Sequence, residues 1–183
     1  MKKKLVIVGA LLLILALAAA GTLANSVTEV HTTNVVTTGV IDIELETGKT
    51  VTAEIGTYMP GTVAEKTYSV TTDKCSDPAW LRAKLNVEFT DESLDPGKLS
   101  VTTADGWIKC DDGFYYYETP VDPKQSVELL KSIGFDKSMG NEYQESTAKL
   151  VVFAQAVQVK NNNAVEAITE ENYDQVKGWP AEE

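Results

Sequence analysis

Apolar and polar residues alternate most strictly between Trp80 and Phe89. Leu81, Ala83, Leu85, Val87 and Phe89 share one parity, and Arg82, Lys84, Asn86, Glu88 and Thr90 the other. Side chains of a strand change face with period two, so this stretch predicts a β-strand with one face on a core and one in water. A helix would set Leu81 beside Lys84 and bury an ammonium without a partner. Looser versions of the pattern recur. Ile41, Ile43 and Leu45 alternate with acids, Val51, Ala53 and Ile55 follow Thr47-Gly48-Lys49, and the two runs are expected to pair as a hairpin. Tyr58-Met59-Pro60-Gly61 marks a turn, after which Glu65 to Thr72 reads as a strand with Tyr68 and Val70 on one face. Leu99 to Thr103 reads as a short strand. Trp107 to Tyr117 reads as a strand, a tight turn at Asp112-Gly113, a pair that tolerates positive φ, and an aromatic strand. Ser126 to Phe135 fits a strand or a single helical turn. Ser146 to Val159 is apolar on both faces, as expected of a central strand covered from both sides. Thr169 to Val176 is expected to form a short helix capped by Thr169 and ending at Gly178, with Trp179 packing back.

Seven to nine short strands with turn signals between them predict an all-β fold, a jelly-roll or Ig-like β-sandwich with one or two short helices. The first 24 residues differ in kind. Lys2, Lys3 and Lys4 precede an apolar run from Leu5 to Ala20, and Gly21-Thr22-Leu23-Ala24 follows, the layout of an export signal peptide helix. Cleavage is expected between Ala24 and Asn25, with Ala18 and Ala20 offering an earlier cut; retention as an anchor is the alternative, because the run approaches bilayer-spanning length. The expected organisation is residues 1–24 as signal peptide, 25–38 as an extended Thr- and Val-rich segment, and 39–183 as the sandwich, in a protein secreted or held at the cell surface.

Charge narrows the partners. Without its first 24 residues the chain carries 13 basic and 27 acidic residues, a net charge of −14. Nucleic acid and anionic membrane need basic patches, so neither is expected to bind, apart from the membrane contact of the signal segment before cleavage. Cys75 and Cys110 are the two cysteines, and export permits a disulfide between them, closing a loop of about 35 residues; two separate small apolar thiols are the alternative. Asp91-Glu92-Asp95 and Asp111-Asp112 are candidates for weak Ca²⁺ binding, against the plainer reading of solvated loops, and no other cofactor is expected. Four consecutive aromatics, Phe114 to Tyr117, set two on each face, for cross-strand packing or as a sugar-stacking platform. His31 is the single histidine, so no HExxH motif and no nucleophilic triad can be assembled, and no catalytic residue is expected.

Several segments, in order, resemble a known family: Gly21-Thr-Leu-Ala, Gly39-Val-Ile-Asp-Ile-Glu-Leu, Met59-Pro-Gly-Thr-Val with Lys66 and Val70, Pro78-Ala-Trp-Leu-Arg-Ala-Lys-Leu, and Phe153-Ala-Gln-Ala-Val-Gln. Together they look like the exported proteins cut by a specialised, SipW-type signal peptidase, the group containing camelysin and the TasA biofilm matrix fibre protein. The resemblance spans about residues 1–160. It implies a secreted jelly-roll subunit of the matrix or cell surface, with the signal peptidase as a partner during export and with self-association or other matrix proteins afterwards. In fibre-forming members the segment after the signal is lent as a strand to the next subunit, which by position here contains Val27, Val30, Val35 and Val36. A monomeric surface binding or accessory domain is one alternative. Camelysin-like metallopeptidase activity is a second, for which this chain offers no zinc motif to carry over.

Overall fold

The structure, a computed structural model, describes residues 37–44, 47–55, 59–143, 146–160, 162 and 165–181. Nine strands run through them: β1 (Thr37–Asp42), β2 (Thr47–Glu54), β3 (Val63–Thr71), β4 (Ala79–Phe89), β5 (Leu99–Thr103), β6 (Trp107–Lys109), β7 (Tyr115–Tyr117), β8 (Ser126–Phe135) and β9 (Ala148–Gln158). They form a β-sandwich. One sheet has the order β1-β3-β8-β5 and the other β2-β9-β4-β7-β6. Residues 34–183 make one compact unit.

The strict alternation of β4 explains its place. Leu81, Ala83 and Phe89 are buried against the facing sheet, and Leu85 and Val87 pack on the same cluster. Ile41, Tyr68, Val70, Leu130, Ile133, Leu150 and Val152 supply much of the rest from both sheets. The segment 126–135 resolves as strand, because β8 must pair with β3 on one side and β5 on the other.

Three local expectations are corrected. The runs at 37–42 and 47–54 do not make a hairpin: β1 pairs parallel with β3, β2 pairs antiparallel with β9, and the chain between them changes sheet. Period-two alternation fixes which face a residue takes but not which strand lies beside it. In the β6–β7 turn only Gly113 adopts positive φ, at 85°; the Gly113 N–H donates to the Cys110 carbonyl and the Cys110 N–H to the Phe114 carbonyl, so the loop is longer than a two-residue turn. The helix expected from Thr169 shrinks to a 3-10 turn at Tyr173–Gln175. There the Asn172 side chain accepts the Thr169 N–H at 2.7 Å and donates to the Ala167 carbonyl at 3.1 Å, while the Thr169 hydroxyl accepts the Glu171 N–H at 3.3 Å. These side-chain bonds compete with a helical ladder.

The sheet containing β4 is covered on its outer face as well. Residues 165–181 lie across it as a strap, with Ile168 and Val176 buried and Trp179 packed beside them. Under the strap sit Trp80, Cys110, Phe114, Tyr116 and Val157. The two-faced apolar pattern of β9 thus has its cause: Ala148, Leu150, Val152, Ala154 and Ala156 meet the inner core, and Phe153 and Val157 meet the strap side.

Candidate functional site

Two features of the five-stranded sheet stand out, one closed and one open. The closed feature is built around Arg82 on the outer face of β4. A solvated outer row was expected for Arg82, Lys84 and Glu88, and Glu88 is indeed exposed. The Arg82 side chain, however, is only 12% exposed. Its guanidinium lies 4.0 Å from the centroid of Phe114 and 4.7 Å from that of Trp179, sandwiched between a β7-side ring and a strap ring. Its Nε donates to Gln155 Oε1 at 2.7 Å and its Nη1 to the Tyr116 hydroxyl at 3.2 Å. Tyr116 donates in turn to Asp112 Oδ2 at 2.7 Å, and the Phe114 N–H donates to Asp112 Oδ1 at 3.1 Å. Gln155, fully buried, donates to the Pro180 carbonyl at 2.9 Å and so ties the strap to the sheet. Burial is the main influence pushing the Tyr116 hydroxyl up from its ordinary range. The planar guanidinium, with two ring faces and two acceptors in its plane, meets here the demands that single out arginine over lysine.

The open feature lies on the same strand, past Arg82. β9 pairs with β4 along its whole length, from Ala79↔Gln158 to Phe89↔Ala148. β7 pairs with β4 only at Arg82↔Tyr116 and Ala83↔Tyr115, because the turn at 110–114 starts immediately before β7. From Leu85 to Glu88 that side of β4 therefore has no strand beside it among the described residues, and Asn86 and Glu88 are exposed. A groove of about 460 Å³ runs along this edge, lined by Leu85, Val87, Leu99, Val101, Tyr115 and Lys109 among others. Leu99 and Val101 belong to β5, the end strand of the other sheet, so the groove opens between two sheet edges.

No family model matches the chain, and no curated protein matches it. Among solved structures it matches PliG of Aeromonas hydrophila, a periplasmic lysozyme inhibitor of g-type lysozyme. The identity is 9% and the TM-score 0.28, over 65% of this chain and 98% of that one. A likeness at that level carries no argument from PliG to this chain.

The residues singled out from the sequence fall as follows. Ala24, Asn25, Val27, Val30, His31, Val35 and Val36 lie outside the described residues. Cys75 and Cys110 are both free and buried, the arrangement of the second alternative, two separate thiols, and not of a disulfide. The reason is the two-faced sheet: Cys75 packs in the cluster between the sheets, Cys110 in the cluster under the strap. The acidic loops hold their carboxylates for turns. Asp91 accepts from the Ser93 N–H and hydroxyl, Asp95 accepts the Gly97 N–H, and Asp112 is engaged as above. Among the described residues no three His, Cys, Asp or Glu side chains gather as a metal-holding group. Of the four aromatics, Phe114 and Tyr116 face the strap and Tyr115 and Tyr117 the inner core, with Tyr117 against Trp107 at 5.2 Å between centroids; all four are packing groups.

The thiols yield a test of this placement. Burial first, then the charges of Asp112, Glu170 and Asp111, push the Cys110 thiol up to about 11 from 9.0. The folded state thus holds this proton longer than the unfolded chain. Its contribution is complete below about pH 9 and is lost as pH rises through about 11. Between pH 8 and 10 the wild type is expected to lose about 1 kcal/mol more stability than Cys110→Ala, read from urea midpoints. An equal loss in the two proteins would place Cys110 outside the buried cluster.

Proposed function

We propose that this chain is an exported structural protein of the cell surface or biofilm matrix, and that its copies assemble into fibres by lending residues 25–36 as a strand to a neighbour. The observation that carries the reading is that β1 stands at the end of its sheet among the described strands, directly after the Thr- and Val-rich segment in sequence. That segment, residues 25–36, is rich in residues that favour extended backbone. It leads directly into β1, which ends its sheet and exposes Val40 to 62%. An edge strand with an apolar outward residue is a template for strand addition. The ordered resemblance to TasA and camelysin supports the same reading, as do the export signal and the acidic charge that keeps unassembled subunits soluble.

The test is electron microscopy of two proteins, residues 25–183 and residues 34–183, under matched conditions. Filaments from the first and only monomers from the second are expected. Monomers from both, or filaments from both, would overturn strand lending by residues 25–36.

A further inference from the structure

We infer that the turn at Asp105-Gly106 is a site of spontaneous self-modification, where Asp105 closes a succinimide on the Gly106 nitrogen and reopens with water as isoaspartate. The chain holds this dipeptide twice, at Asp105-Gly106 and at Asp112-Gly113. Both glycines take a φ of 85°. Neither sequence nor glycine conformation separates the two pairs, so the difference lies in what their reacting atoms touch.

Ring closure needs an accessible carboxyl carbon and an unengaged amide nitrogen. Asp112-Gly113 offers neither. Asp112 accepts the Tyr116 hydroxyl at 2.7 Å and the Phe114 N–H at 3.1 Å, and the Gly113 N–H donates to the Cys110 carbonyl at 3.0 Å. At Asp105-Gly106 the Gly106 N–H meets no acceptor among the described residues, and the Asp105 side chain is 99% exposed. Its ion pair to Lys131 Nζ, at 3.1 Å, lies at the surface, where such pairs hold a side chain weakly. The glycine that permits the reaction is also demanded by the fold. A Cβ at position 106 would meet the Tyr117 ring at 2.8 Å, and the positive φ disfavours any side chain, so no bulkier residue can shield the nitrogen.

The chemistry balances with solvent water alone. The Gly106 nitrogen bonds to Asp105 Cγ, and the nitrogen's proton leaves with the carboxylic hydroxyl as water. Water then adds at one of the two imide carbonyls. Opening at Cγ restores aspartate. Opening at the main-chain carbonyl breaks its bond to nitrogen and leaves the chain running through Cβ and Cγ, one methylene longer, with a free α-carboxylate. This turn has little slack for the extra atom. It carries the chain from β5 in one sheet to β6 in the other, held by the Ala104 N–H on the Leu129 carbonyl at 3.0 Å and the Glu118 N–H on the Gly106 carbonyl at 2.8 Å. Isoaspartate at position 105 therefore loosens the Glu118 bond and takes from Lys131 the carboxylate it pairs with.

The test ages residues 34–183, a compact unit that contains both described clusters, in warm, weakly acidic buffer. Isoaspartate is mapped by mass spectrometry after digestion with a protease that cuts at aspartate but not at isoaspartate. The folded protein is expected to accumulate at least tenfold more isoaspartate at position 105 than at 112. In urea, which frees both pairs, the two positions are expected to convert within twofold of each other. Both measurements use the unsubstituted protein and do not depend on how a variant folds. Asp105→Glu, whose longer side chain would have to close a six-membered ring, is expected to abolish the signal at 105 and leave that at 112 unchanged. Equal conversion at the two positions in the folded protein, or faster conversion at 112, overturns the assignment. Conversion at 105 in urea but not in the folded protein overturns it too, because the turn itself then blocks ring closure. In aged molecules the Glu118 amide is expected to exchange its hydrogen at least tenfold faster, and an unchanged rate overturns the loosening of the turn.

Discussion

Replacing Trp80 with alanine is expected to lower the free energy of unfolding by about 4 kcal/mol, while Trp80→Phe costs no more than about 1 kcal/mol. Trp80 is fully buried on the outer face of β4, among Cys110, Phe114, Tyr116, Val157, Ile168 and Val176. Truncating so large a side chain leaves a cavity between a sheet and a strap, and neither wall can close it alone. The indole N–H meets no acceptor among the described residues. An unmet buried donor costs roughly 1 to 3 kcal/mol, so phenylalanine relieves a penalty while it gives up part of the volume. The two effects largely cancel in Trp80→Phe and do not in Trp80→Ala. Urea unfolding monitored through the remaining Trp107 and Trp179 measures both variants. Equal losses would show that the indole N–H is satisfied and that the contrast has no basis.

The same pocket shows why part of this fold was legible in the sequence and part was not. Strands with one wet face announce themselves, because Leu81, Ala83 and Phe89 must avoid water while Asn86 and Glu88 need not. Arg82 has the same parity as those polar residues, and alternation groups it with them. Its burial depends on Trp179, about a hundred positions away, and no local pattern reports that. The strap itself is anchored by Ile168, Val176 and Trp179, whose spacing also suits one face of a helix, so the pattern does not by itself announce an irregular strap. One signal was available: the aromatic and branched residues Phe114, just ahead of β7, and Tyr116, Phe153 and Val157, on the outer faces of β7 and β9, are too many for a wet sheet and call for a cover. The open edge of β4 was half-legible. The Asp112-Gly113 turn directly precedes the aromatic strand and so limits β7 to a few residues, yet only the register with Arg82 and Ala83 shows where the pairing stops. Pairing of β1 with β3 rather than β2 belongs to the part sequence cannot reach, since both arrangements bury Ile41.

Arg82→Ala is expected to cost about 3 kcal/mol and to loosen the strap, and Arg82→Lys to recover less than half of that loss. Removal of the guanidinium strands the Gln155 carbonyl oxygen in a fully buried position, takes a donor from Tyr116, and leaves Phe114 and Trp179 facing a gap. Lysine restores the charge but not the arrangement. An ammonium cannot lie flat between two rings and reach Gln155 and Tyr116 in one plane. Arg82 and Asp112 approach to 4.0 Å, but the ion pair is the lesser component because Asp112 is 32% exposed and retains the Tyr116 hydroxyl and the Phe114 N–H. A double-mutant cycle of Arg82→Ala with Gln155→Ala separates these contributions, with a coupling of at least about 1 kcal/mol expected for a buried bond from a charged donor. In Arg82→Ala, Trp179 becomes solvated and its emission shifts to the red at denaturant concentrations where the main core remains folded. If the coupling is near zero and the emission unchanged, the strap is held by Ile168 and Val176 alone, and the stacked arginine is only a filler between two rings.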